Sequence, residues 1–103
     1  MGNASMAIQV LPKAEGNAEI VRIVDRVIEY IAGYGLNYFV GPFETVIEGD
    51  YDVLMEMLKG CQRIAVEAGA PSVMSYVKIS YHPKDEGLSI EEKTAKYQKH
   101  RKQ

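Results

Sequence analysis

Two carboxylates lie close together in the middle of the chain, in the segment Pro42-Phe43-Glu44-Thr45-Val46-Ile47-Glu48-Gly49. Residues 45–47 are all β-branched and turn-forming residues flank the segment, which predicts a strand. Because side chains alternate along a strand, Glu44, Val46 and Glu48 share one face. A carboxylate resists burial unless a cation or hydrogen-bond donors meet it. This face is therefore either wet or in contact with a partner or ligand that brings positive charge and N–H donors.

Other residues that commonly take part in catalysis are few and scattered. Cys61 is the only cysteine, so no internal disulfide is expected, and its place on the apolar stripe of a predicted helix favours a core position. His82 and His100 have no Cys or Asp at metal-ligand spacing and are not placed to act as a base. The sequence also lacks a Gly-rich phosphate loop. We therefore predict no catalytic residue, no metal site, no cofactor and no enzymatic activity.

The composition is typical of one soluble globular domain. The chain has 103 residues, with 47% hydrophobic and 25% charged residues, which suffices for a single core. Its net charge of −2 argues against a phosphate-binding surface, so no nucleic acid partner is expected. No run approaches the roughly 20 apolar residues of a membrane span, and the N-terminus lacks a secretory pattern. We expect no membrane partner and a cytoplasmic location.

Strand and helix patterns alternate along the chain. The predicted strands are residues 6–11, 36–41, the central segment and residues 73–81. The first helix is predicted to open at Asn17 as its N-cap and the second at Asp50. The apolar stripe of the first helix consists of Ile20, Ile23, Val24, Val27, Ile28 and Ile31. Ser89 and Glu92 form a capping box for a third helix, about residues 89–100, which leads into a basic tail.

The order of these elements indicates the fold class. A β-α-β unit followed by a second β-α-β unit predicts an α+β, ferredoxin-like sandwich, with a four-stranded antiparallel sheet and both helices on one face. The C-terminal helix is added to this core. We predict a single domain over residues 1–103, with its core at about residues 6–83.

The face of the sheet away from the helices combines apolar and charged side chains. It is predicted to present Gln9, Leu11, Glu44, Val46, Glu48, Met74, Tyr76 and Lys78. This mixture is too apolar for a surface facing solvent alone and too charged for a dry interface. It indicates a surface that another subunit covers, with a polar pocket left in it.

Three short motifs resemble the thiamine-binding protein family of small bacterial and archaeal proteins. They are Gln9-Val10-Leu11-Pro12, the stretch from Gly41 to Gly49 and Val77-Lys78-Ile79, and the resemblance covers about residues 6–83. It implies the ferredoxin-like fold and a homodimer or homotetramer that assembles through the sheets. It also implies non-catalytic binding of thiamine or its hydroxymethylpyrimidine moiety.

The residue types at the predicted site suit such a ligand. Thiamine carries a permanent thiazolium charge and an aminopyrimidine with adjacent donor and acceptor, which call for acids, amides and aromatic rings. The predicted ligand-binding residues, chosen because they are of the right types and lie in or near this part of the sheet, are Gln9, Tyr38, Glu44, Thr45, Glu48 and Tyr76. We expect Glu48 to contribute most to binding.

Structural roles for the same residues remain open. Glu44 and Glu48 can be solvated or paired with Lys78, for which an ion pair with Glu48 is expected. Thr45 can be a packing residue, and Gln9 can form a hydrogen bond across a dimer. Two other functions remain open as well: a protein-interaction or regulatory module that uses the sheet face, or a small ferredoxin-like enzyme.

Overall fold

Six elements follow one another in the computed structural model, which describes residues 2–84. They are β1 (Ala4–Pro12), α1 (Asn17–Ala32), β2 (Tyr38–Val40), β3 (Thr45–Gly49), α2 (Tyr51–Glu67) and β4 (Val73–Tyr81). The predicted third helix lies outside the described residues. Neither helix in residues 2–84 is both long and apolar enough to cross a membrane.

The four strands form one antiparallel sheet in the order β2-β3-β1-β4. β1 lies at the centre, with Met6 opposite Ile47 of β3 and Ile79 of β4. This is the α+β arrangement of two helices and four antiparallel strands that the element order predicted. β4 keeps its predicted bounds.

The core lies between the two helices and one face of the sheet. Along β1, residues alternate between buried and partly exposed, as expected for a strand covered on one side. Met6 and Ile8 pack in one cluster with Ile23 of α1 and with Met57 and Cys61 of α2. Cys61 is fully buried, which confirms its predicted core position.

The helix starts differ in detail from the predicted caps. α1 begins at Asn17 itself, after Gly16 in a left-handed conformation (φ 88°), and has no side-chain cap. Asp50 is the N-cap of α2, yet its side chain forms no cap hydrogen bond. Asn3, the residue before β1, caps α2 instead, because its Oδ1 accepts a hydrogen bond from the Tyr51 N–H at 2.9 Å. The capping group of α2 therefore comes from a residue distant in the sequence, which the local pattern around Asp50 does not predict.

β2 is shorter than the predicted strand over residues 36–41. Leu36 packs close to Gly49, and Asn37 contacts Glu48 through both its side-chain amide and its backbone carbonyl. The regular register with β3 begins only at Tyr38. At the other end, the Gly41 N–H donates to the Glu44 carbonyl at 2.9 Å and turns the chain back into β3. β2 and β3 therefore form a short hairpin joined by the loop of residues 41–44.

Candidate functional site

A cleft opens where β1 and β3 part. Their pairing ends at Ile8 opposite Thr45, while β1 continues to Pro12 alongside β4. On the β3 side, residues 9–11 therefore have no strand partner within residues 2–84, and peptide groups on this edge are available to a bound molecule. The cleft has a volume of about 250 Å³ and lies between this edge, α1 and the loop of residues 41–44.

One wall of the cleft is formed by two apolar rows on α1. Ile23, Val27 and Ile31 are buried in the core, and Ile20, Val24 and Ile28 are only partly buried. All of them except Ile23 line the cleft. The two rows are adjacent on the helix because each repeats at a spacing of four residues. The result is an apolar surface against which a flat ring can pack.

Thr45 supplies a hydroxyl in the buried part of the cleft. It is 8% exposed, because it belongs to the helix-facing side of β3, and it lines the cleft. Its hydroxyl has no hydrogen-bond partner among residues 2–84, but it is open to the cleft, since Ser75 Oγ is the only fully buried side-chain polar atom without a partner in these residues. Water in the cleft can therefore bond to it, and a polar atom of a ligand could take the place of that water.

Glu44 places a carboxylate at the cleft. It lines the cleft and its Oε2 lies 3.3 Å from Lys78 Nζ, so the two side chains form an ion pair. Lys78 on β4 is opposite Ala7 on β1, and β1 lies between β4 and β3, so the lysine side chain reaches across β1 to Glu44. The expected pairing of Lys78 with Glu48 is therefore wrong, since Lys78 meets the other carboxylate of the same face.

Gln9 also lines the cleft, on the part of β1 that lacks a β3 partner. It is directly opposite Tyr76 on β4, so the two residues share the sheet face away from the helices. Tyr76 itself is exposed and does not line the cleft. Gln9 thus connects the cleft with the open sheet face.

Glu48 and Tyr38 lie elsewhere. The Glu48 carboxylate accepts a hydrogen bond from the Asn37 side-chain amide at 2.6 Å, and the Glu48 N–H donates to the Asn37 carbonyl. These bonds hold Asn37, the residue before β2, against β3. Tyr38 is opposite Ile47, on the helix-facing side of the sheet. Neither residue lines the cleft.

The structure thus brings together three of the six predicted ligand residues, Gln9, Glu44 and Thr45, and leaves three outside the cleft. The residues missed by the sequence analysis include Ile20, Val24 and Ile28 of α1, which were assigned to the core stripe. Their signal was the width of that stripe, since six apolar positions exceed what one row against a sheet requires. Phe43, which is exposed and lines the cleft, was not among the predicted ligand-binding residues.

This cleft has a mostly apolar lining. Its lining, within residues 2–84, includes no His, Cys or Lys. Cys61 lies in the core, where burial raises the pKa of its thiol to about 11 and keeps it in the unreactive form. The described residues also contain no group of three or more acidic, His or Cys side chains that can hold a metal ion. An apolar slot with a hydroxyl inside and a carboxylate beside it suits a heterocycle with polar edges and a cationic end.

This chain resembles several known proteins in sequence and in structure. Residues 6–98 match the thiamine-binding protein family. A UPF0045 protein from Clostridium perfringens is 42% identical over 97 residues, which cover 94% of this chain and 99% of that protein. A DUF77 domain of unknown function from Bacillus cereus has a TM-score of 0.83 at 38% identity, over 91% of this chain and 88% of its own. A Thermotoga maritima protein, whose name proposes a role in thiamine biosynthesis or salvage, has a TM-score of 0.79 at 34% identity, over 91% and 97%.

Proposed function

Because the chain belongs to the thiamine-binding protein family, we propose that it binds thiamine or its hydroxymethylpyrimidine moiety without transforming it. The observation that carries this proposal is the cleft between β1, β3 and α1, which the Thr45 side chain helps to line. Its volume of about 250 Å³ is close to the lower end of small-molecule sites, which begin at roughly 300 Å³. One heterocyclic ring fits inside, and a second ring would extend beyond the opening.

The polarity of the cleft supports one orientation of the ligand. The aminopyrimidine lies inside, packed on Val24 and Ile28, with its donor and acceptor atoms toward Thr45 and the free edge of β1. The thiazolium lies at the opening, near the Glu44 carboxylate and the exposed ring of Phe43. A carboxylate and an aromatic face both attract a cation.

We further propose that the protein is a homodimer or homotetramer that assembles through the sheet face opposite the helices. Exposed apolar side chains on that face are Leu11, Phe39, Met74 and Tyr76. Exposed apolar side chains on one sheet face are typical of a subunit interface. Gln9 and Glu44 lie between this face and the cleft, so a second subunit would cover one side of the site. The cytoplasmic location stays a prediction from the sequence.

Isothermal titration calorimetry with thiamine and with hydroxymethylpyrimidine tests the ligand assignment. We expect heat and a saturable isotherm with both compounds. Mass spectrometry of the ligand recovered after incubation should return its original mass, because no chemical step is proposed. A changed mass would instead support the small ferredoxin-like enzyme. Absence of heat with either compound from folded wild-type protein would contradict the proposed function.

Glu44→Gln and Glu48→Gln form a matched pair for the site assignment. Glu44→Gln should weaken thiamine binding about three- to tenfold, a modest effect because the carboxylate is partly solvated. Glu48 lies outside the cleft, so Glu48→Gln should change the thiamine affinity less than twofold, roughly the error of such a comparison. The opposite ranking would restore the sequence-based expectation that Glu48 contributes most.

A further inference from the structure

Lys78 neutralises the charge of the cleft. Glu44 is the only charged residue that lines the cleft within residues 2–84, and the Lys78 ammonium lies 3.3 Å from it. The lysine side chain is 76% exposed and the glutamate side chain 36% exposed. The pair is therefore weak enough to open, since an exposed ion pair contributes little to stability.

A cationic ligand has to compete with this lysine. When the positive ring of a ligand approaches Glu44, it meets a carboxylate that already has a cation, and the Lys78 ammonium repels it. A neutral ring inside the cleft experiences no such competition, because its contacts are with Thr45 and the apolar row of α1. The two classes of ligand therefore differ in their dependence on Lys78.

We infer that Lys78 sets the charge selectivity of the site, by holding Glu44 and thereby lowering the affinity for cationic heterocycles relative to neutral ones. This inference rests on the proposed function, because it concerns the same cleft. Lys78 is a positioning residue in this role, since it acts on the ligand through Glu44.

Lys78→Gln removes the ammonium and keeps a polar side chain of similar reach. Titration calorimetry should show thiamine binding about two- to fivefold tighter in this variant, which corresponds to at most about 1 kcal/mol, the upper value for an exposed ion pair. Binding of neutral hydroxymethylpyrimidine should change by less than about twofold. The thiamine affinity should also become more sensitive to added salt, since the cation then meets an unpaired carboxylate.

Lys59→Gln is the matched control. Lys59 forms an exposed ion pair with Glu56 on α2 at 3.7 Å and does not line the cleft, so its removal should leave both affinities unchanged. Thiamine binding that is unchanged or weaker in Lys78→Gln, or an equal change for both ligands, would overturn the inference and leave the proposed function standing. If the wild-type protein binds neither compound, the proposed function fails, and the inference fails with it.

Discussion

Thr45 is 8% exposed, and its hydroxyl has no hydrogen-bond partner among residues 2–84. The hydroxyl oxygen is open to the cleft, since Ser75 Oγ is the only fully buried side-chain polar atom without a partner in these residues. Water can therefore bond to it in the free protein, and a ligand atom would take the place of that water. Thr45 is therefore a residue at which binding should change with little effect on stability.

Thr45→Val tests this role. The variant keeps the shape of the side chain and removes the hydroxyl, so binding of thiamine and of hydroxymethylpyrimidine should weaken about two- to tenfold. The melting temperature of the free protein should change little, because the hydroxyl has no protein partner among residues 2–84 and is open to water. Thr45→Ser keeps the hydroxyl and should retain binding. Equal affinities of Thr45→Val and wild type would assign Thr45 to packing alone.

Cys61 makes the stability depend on pH. Burial raises the pKa of its thiol to about 11, whereas a thiol in the unfolded chain ionises near 8.5. Between these values the unfolded state has lost a proton that the folded state keeps, so the free energy of unfolding falls as the pH rises. At a pH below the pKa of the thiol in the unfolded chain, the protein keeps the full free energy of unfolding that it loses at higher pH.

The effect can be measured by urea unfolding at about pH 8 and at about pH 10.5, two values that span most of this pH window. The wild-type protein should lose more stability between the two conditions than Cys61→Ala, which lacks the ionising thiol. Cys61→Ala will be less stable at both values because it leaves a cavity, so only the difference between conditions is compared. Identical losses in both proteins would show that the thiol ionises equally in the folded and unfolded states.

At the scale of elements, α1 and α2 approach closely at one glycine. A Cβ at Gly60 of α2 would overlap the hydroxyl and ring of Tyr30 on α1. Tyr30 is held there by a hydrogen bond of 2.9 Å to the Tyr34 hydroxyl and by an edge-to-face contact between the two rings. Burial and this hydrogen bond raise the pKa of Tyr30 to about 12. The helix pair is therefore fixed by an aromatic side chain that fills the space left by Gly60.

Gly60→Ala should destabilise the protein by about 1–3 kcal/mol, since the cost of forcing Tyr30 aside exceeds the gain in helix propensity. Gly33→Ala is the control at the end of α1. Gly33 has a helical φ of −62°, and its Cβ would lie 3.4 Å from the nearest atom, so the change should be neutral or slightly stabilising. Urea midpoints compare the two variants. Equal midpoints would mean that α1 and α2 can accommodate the added methyl group at position 60 without a loss of stability.

The elements themselves show what the sequence could predict. Alternation along β1 and β4 and the apolar stripes of the helices predicted the sheet, its covered face and the core, because these patterns depend only on period and burial. The family resemblance, predicted from three motifs, is confirmed. The cleft was not predicted, because it arises where the β1–β3 pairing stops at Ile8 and where α1 lies over the gap. The partner of Lys78 was missed for a similar reason, since a long side chain can reach either carboxylate on the same face.

At the scale of the whole molecule, the sheet divides the protein into a covered and an uncovered side. Met74 is 59% exposed on the uncovered side, on the same face as Leu11 and Tyr76. Val21 of α1 is 56% exposed on the helix layer, so the two residues have similar exposure on different layers. If the sheet face forms the subunit interface, a charge at Met74 must be buried on assembly, whereas a charge at Val21 stays in water.

Light scattering of wild type, Met74→Glu and Val21→Glu distinguishes these cases. The wild-type protein should have the mass of a dimer or tetramer at micromolar concentration, and Val21→Glu should keep that mass. Met74→Glu should shift the measured mass downward, because burying an unpaired carboxylate costs several times the thermal energy. The melting temperature of Met74→Glu should depend on protein concentration at higher concentrations than that of the wild type, as expected for a weakened assembly. A monomeric wild-type protein would rule out assembly through this face. An assembled Met74→Glu alongside a dissociated Val21→Glu would move the interface to the helix layer.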